Sequence, residues 1–145
     1  MLKKVLLALS ATLIAGTAPA ANTADDLFLE KVRFIRYHAP NPADYRNATR
    51  QLIQTVSPSD GAMLGALGRA FMRLEDFENA NSVLQSAVRI APSNADAQAD
   101  LAYTSAMHGQ DCSTSRTAYG RAVELNPALA DLRHVQHARS LCPAW

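Results

Sequence analysis

The sequence predicts an all-α protein, a short α-solenoid of antiparallel helical hairpins, and three observations predict it. No segment alternates apolar and polar residues with period two, so no strand is expected. Prolines and small polar residues cut the chain into helix-length pieces. The run Leu64, Leu67, Gly68, Phe71, then Ala80, Leu84, Ala87, then Pro92, partly returns about 34 residues later as Gln98, Leu101, Ala102, Ser115, Tyr119, Ala122 and Pro127. A period of that size marks stacked helical repeats.

Each element has its own justification. Met1-Leu2-Lys3-Lys4 is a short basic start, Val5 to Ala15 is apolar apart from Ser10 and Thr12, and Ala18-Pro19-Ala20 is a small-x-small site. Residues 1–20 therefore read as a secretory signal peptide cleaved after Ala20. The other reading is an uncleaved anchor, against which stands an apolar run too short for a comfortable span. No cysteine lies near the cleavage site to carry a lipid. After a flexible leader, Asp25 or Asp26 caps a first helix that runs to about Tyr37. His38-Ala39-Pro40-Asn41-Pro42 breaks it, because residues before proline resist helical backbone. A second helix starts near Pro42 or Ala43 with Asn41 as cap, and carries Tyr45, Ala48, Leu52, Ile53 and Val56 at helical spacing. Ser57-Pro58-Ser59-Asp60 ends it, and Asp60 caps the third helix, Gly61 to about Leu74. Glu75-Asp76 is a turn before a fourth helix from Phe77 to Ile90. Ala91-Pro92-Ser93-Asn94 separates it from a fifth, Ala95 to His108, which Gly109 terminates. A sixth spans Ser113 to Leu125, Asn126-Pro127 breaks it, and a seventh runs from Ala128 to Leu141.

The repeated residues are a packing code. Two helices approach closely only where side chains are short, as at Gly68, Ala80 and Ala87, with Leu64, Leu67, Phe71 and Leu84 filling the space beside them. Phe71 and Phe77 read as core aromatics rather than ligand anchors.

These residues resemble the tetratricopeptide repeat family. Gly61 to Asn94 matches closely, lacking only the large aromatic often found at the place of Leu64. Ala95 to Leu129 matches less well: Gln98 and Ser105 replace apolar and aromatic residues and dilute the core, and the turn from Gly109 to Thr114 is one residue longer. The resulting division is a signal peptide at 1–20, an N-terminal helical pair at 21–60 that forms a degenerate repeat or a cap, repeats at 61–94 and 95–129, and a capping helix and tail at 130–145. The resemblance implies a right-handed stack whose concave face is lined by the first helix of each pair. It places Arg69, Met72, Arg73, Asp96, Asp100, Tyr103 and Met107 on that face as binding residues. Members that clamp a chaperone's terminal carboxylate carry Lys and Asn in these helices; here the matching positions hold Gly65, Arg69, Ala99, Asp100 and Tyr103, so that function is not expected.

Cys112 and Cys142 are an even pair in a chain expected to be exported, which favours a disulfide. In a hairpin stack they lie at the same end of successive first helices, close enough for a bond. Two free thiols are the second reading. A metal or redox site using His108, His134 and His137 is the third, without CxxC or HExxH spacing to support it.

From Ala21 onward the chain has 12 basic and 13 acidic residues, a formal charge of −1. Nothing in that balance points to nucleic acid. Lys31 is the only lysine there, a bias towards arginine that reads as bacterial coding composition. No nucleophile elbow, phosphate loop, zinc-protease motif or catalytic carboxylate pair occurs. Asp96 and Asp100 read as solvated acids one turn apart. The expected function is a non-catalytic, cofactor-free and metal-free scaffold, periplasmic or secreted, that binds a protein or peptide and keeps no stable membrane span after cleavage. The alternatives are a self-assembling homo-oligomeric factor of an envelope machine and the metal or redox protein.

Overall fold

The computed structural model of the chain describes residues 23–143. The signal-peptide expectation and its cleavage site lie outside the described residues. Among these, seven α-helices follow one another: α1 Ala24–His38, α2 Pro42–Gln54, α3 Gly61–Arg73, α4 Phe77–Ile90, α5 Ala95–Met107, α6 Cys112–Leu125 and α7 Arg133–Leu141. A 3-10 segment, Pro127–Asp131, joins the last two, and no strand is present among the described residues.

The helix starts follow from local chemistry. The side chains of Thr23, Asn41, Asp60, Asp76, Asn94 and Asp111 each accept a hydrogen bond from a first-turn N–H. Each such cap contributes about 1 kcal/mol. Thr23, rather than Asp25 or Asp26, caps α1; the two acids sit in the first turn, where they favour the helix dipole. α7 alone has no side-chain cap.

The expected continuous helix from Ala128 to Leu141 is a correction. Asn126 accepts from the Ala128 N–H and Pro127 opens a tight 3-10 turn, then Leu132 is extended (φ −67°, ψ 133°) before α7 begins. In one α-helix, Leu129 and Val135 would point about 120° apart, at 3.6 residues per turn. The break lets both enter one buried cluster with Ala99 and Ala122.

The helices form a solenoid of antiparallel hairpins. α3 packs on α4 and α5 on α6, while α4 meets α5 and joins the two hairpins. Along one side α1 lies directly on α3, α3 meets α5, and α5 carries α7. The main core takes Phe28, Val32, Leu52, Leu67, Phe71, Leu84 and Ala87 from the first four helices. Gly68 is the close-approach point: a Cβ there would lie 2.5 Å from Leu84 Cγ. Phe71 is fully buried, but Phe77 is only half-buried, because it sits at the first turn of α4 with its ring edge-on to Tyr103.

The second hairpin keeps its polar replacements by satisfying them. Gln98 Nε2 donates to the Pro92 carbonyl at 3.1 Å, Ser105 Oγ donates to Asn81 Oδ1 at 2.9 Å, and Ser115 Oγ donates to the Ala102 carbonyl at 2.6 Å. A buried hydroxyl or amide costs little once it is hydrogen-bonded. These bonds tie α5 to α4 and α6, so the residues expected to dilute the core instead stitch it. No helix among the described residues is long and apolar enough to cross a membrane.

Candidate binding face

Four charged or titratable side chains run across α1, α3, α5 and α7. Arg69 Nε and Nη2 donate to the two Asp25 oxygens at 2.8 and 3.0 Å, a bidentate pair. Arg69 Nη1 reaches Asp100 Oδ2 at 3.4 Å, and His134 Nε2 lies 3.3 Å from Asp100 Oδ1. Asp100 is 4% exposed, so it is a buried carboxylate and not the solvated acid the sequence suggested. A buried carboxylate needs a compensating charge, and Arg69 supplies it. Burial works against the Arg69 charge, but its bonds to Asp25 and the nearby Asp100 outweigh it and hold its pKa above the ordinary arginine value.

Helical spacing explains the assembly. Arg69 projects from the middle of α3 towards the first turn of α1 on one side and the second turn of α5 on the other. Tyr103 stands one turn beyond Asp100 and meets Phe77 and His134 edge-on at 5.6 Å, with His137 at 6.1 Å. Burial, then the Glu75 carboxylate, raises the Tyr103 phenol above the usual tyrosine value. Glu75 occupies the α3–α4 turn with left-handed backbone (φ 60°), a conformation that costs a non-glycine residue on the order of 1 kcal/mol.

The other expected binding residues divide by exposure. Arg73 and Asp96 are exposed; Met72 is half-buried against the main core, and Met107 is half-buried at the end of α5. The structure thus brings Arg69 and Asp100 into one ion cluster, leaves Arg73 and Asp96 exposed, and half-buries Tyr103 among Phe77, His134 and His137 and Met107 at the end of α5. Two members of that cluster had no local signal. Asp25 is 44 positions from Arg69 and reads as a helix start, and His134 reads as an ordinary surface residue.

Cys112 and Cys142 are joined in a disulfide with Cα atoms 5.5 Å apart, and no described cysteine is free. No group of three or more His, Cys, Asp and Glu side chains among the described residues gathers to hold a metal. His108 is exposed, and His134 and His137 face Asp100 and Tyr103.

A separate cleft opens between the α1–α2 link and the α3–α4 turn, lined by Arg36, Pro40, Pro42, Tyr45, Glu75 and Asp76. Its polar groups are largely spent on one another. Arg36 donates to the Leu74 carbonyl, and Tyr45 donates to Asp76 Oδ2 at 2.5 Å. Burial and that bond push the Tyr45 phenol well above its usual value.

Compared with known proteins, the chain matches no family model and no curated protein.

Proposed function

We propose that the chain is a non-catalytic scaffold of the tetratricopeptide-like kind that binds a peptide or helix of another protein on the face of α3, α5 and α7. The observation that carries this reading is the face itself. Successive first helices lie side by side, and they carry exposed Arg73 and Asp96 and half-buried Tyr103 and Met107 beside an ion row in which Asp100 is buried and Asp25, Arg69 and His134 are half-buried. Arginine, tyrosine and methionine are enriched at protein interfaces. A rigid backing lowers the ordering cost of association. The disulfide and the basic-apolar-small leader both fit a periplasmic or secreted bacterial protein.

Affinity capture from envelope extract tests the reading, with wild type against Arg73→Glu and Tyr103→Ala. A partner retained by wild type and lost with either variant supports it; identical partner sets overturn it.

Self-assembly is the second reading. It is favoured by Leu27 and Tyr37, 47% and 85% exposed on α1, the first of the described helices. Solution mass across a concentration series tests it, and a strict monomer at high concentration removes it.

A further inference from the structure

The last helix is attached to the rest of the chain in an unusual way. α7 has nine residues, fewer than the roughly 12–15 at which an isolated helix becomes marginal, and it has no side-chain cap. Its contacts are small and separate from the main core. Val135 joins Ala99, Ala122 and Leu129; Ala138 and Cys142 join Ala106, flanked by Tyr103, Cys112 and Leu141. His134 faces Asp100, and Arg139 lies 5.4 Å over the Tyr119 ring of α6. The extended Leu132 forms a non-helical joint at its start. At its end the disulfide fastens it to the first residue of α6. The first hairpin, by contrast, keeps its own core of Leu67, Phe71 and Leu84 without α7.

We propose that α7 is a disulfide-latched lid seated in a helix-docking groove on α5 and α6, and that its sequence shows the kind of helix the groove accepts. The occupant carries a polar side chain opposite Asp100, an apolar β-branched residue next to it and a small residue one turn on, as His134, Val135 and Ala138 do. This rests on the protein-binding reading above and adds to the α3, α5 and α7 face a second site, one that α7 itself covers. In the oxidised chain the lid fills the groove; in the reduced chain a partner helix of that pattern replaces it.

The step needs a dithiol reductant of the oxidoreductase class. Cys142 is 1% exposed and Cys112 is half-buried, so the reductant's thiolate attacks Cys112 Sγ. The Cys112–Cys142 bond breaks, its electron pair leaves on Cys142 Sγ, and that sulfur takes a proton. The reductant's second thiolate then attacks the mixed disulfide and releases Cys112, which also takes a proton. The chain gains two electrons and two protons, and the dithiol becomes a disulfide.

Hydrogen exchange on the full chain tests the lid. On reduction, exchange in 133–141 speeds up by roughly tenfold or more while 64–88 keeps its protection, because closing a loop of this length is a large share of a small domain's stability. Cys112→Ser/Cys142→Ser shows the same pattern without reductant. A fluorescent peptide of residues 132–141 binds the reduced chain and not the oxidised one. Unchanged exchange in 133–141 overturns the proposal, as does simultaneous loss of protection throughout, or equal peptide binding in both states. Those failures are distinct from failure of the scaffold reading, in which no envelope protein depends on Arg73 or Tyr103 in either redox state.

Discussion

Adding one methyl group at Gly68 and the same group at Gly120 has opposite consequences. Both glycines lie inside helices, where alanine gains about 1 kcal/mol of intrinsic propensity. At Gly120 nothing lies within 4 Å of the new Cβ, so the gain survives and Gly120→Ala stabilises by about 0.5–1 kcal/mol. At Gly68 the new Cβ meets Leu84 Cγ at 2.5 Å and Cδ2 at 2.8 Å. Leu84 is fully buried, and the nearest atom is its branch point rather than a flexible end, so it has nowhere to turn. α3 and α4 must separate, or Leu84 must leave its rotamer, at a cost of about 2–3 kcal/mol for overpacking. The net for Gly68→Ala is a loss of about 1–2 kcal/mol after the propensity gain. Urea unfolding followed by far-ultraviolet circular dichroism reads both variants. The midpoints move in opposite directions with unchanged m-value. If Gly68→Ala stabilises as much as Gly120→Ala, the close approach of α3 and α4 is wrong, and with it the packing code.

Other perturbations read other parts of the structure. Removing the disulfide with Cys112→Ser/Cys142→Ser opens a 30-residue loop and costs about 3.6 kcal/mol in the chain-entropy model, measured as a lower urea midpoint. Arg69→Met leaves Asp25 and Asp100 without their shared cation and costs about 2–3 kcal/mol, whereas Arg73→Met at an exposed site changes stability by less than about 0.5 kcal/mol. Asp111 accepts the Thr114 N–H as the α6 cap, which lowers its pKa. A lowered folded-state pKa stabilises above the unfolded value and is lost as pH falls through the folded one, so the cap's ionic contribution is present at neutral pH and disappears below about pH 4. Thermal melts of Asp111→Asn, which keeps an acceptor without the charge, therefore differ from wild type by a constant amount above about pH 5 and converge with it in acid.

What the sequence made legible was local. α4 runs from Phe77 to Ile90 as its turn and the following Pro92 dictate, and Asn41, Asp60 and the Gly61 start stand where short-range capping rules place them. The cysteine pairing was also readable, because it follows from helix order and an even count. What stayed hidden depends on contacts between distant residues. Asp100 looks like a surface acid until α3 and α7 bring Arg69 and His134 against it. Ser105 looks like a weakness until Asn81, 24 positions earlier, accepts a hydrogen bond from its hydroxyl. The break at Leu132 answers the burial of Leu129 and Val135 together, which no helix-propensity argument anticipates.

The proposed docking of a partner protein on the face of α3, α5 and α7 brings a second chain within reach of that face and not of the opposite one. Photo-crosslinking tests it most directly, with p-benzoylphenylalanine placed in turn at Arg73 and Met107 on that face and at Arg89 and Arg121, exposed on the partner helices of the two hairpins. One discrete crosslinked protein is expected from Arg73 and Met107 and none from Arg89 and Arg121. The same product from all four positions, or a product only from Arg89 and Arg121, contradicts it.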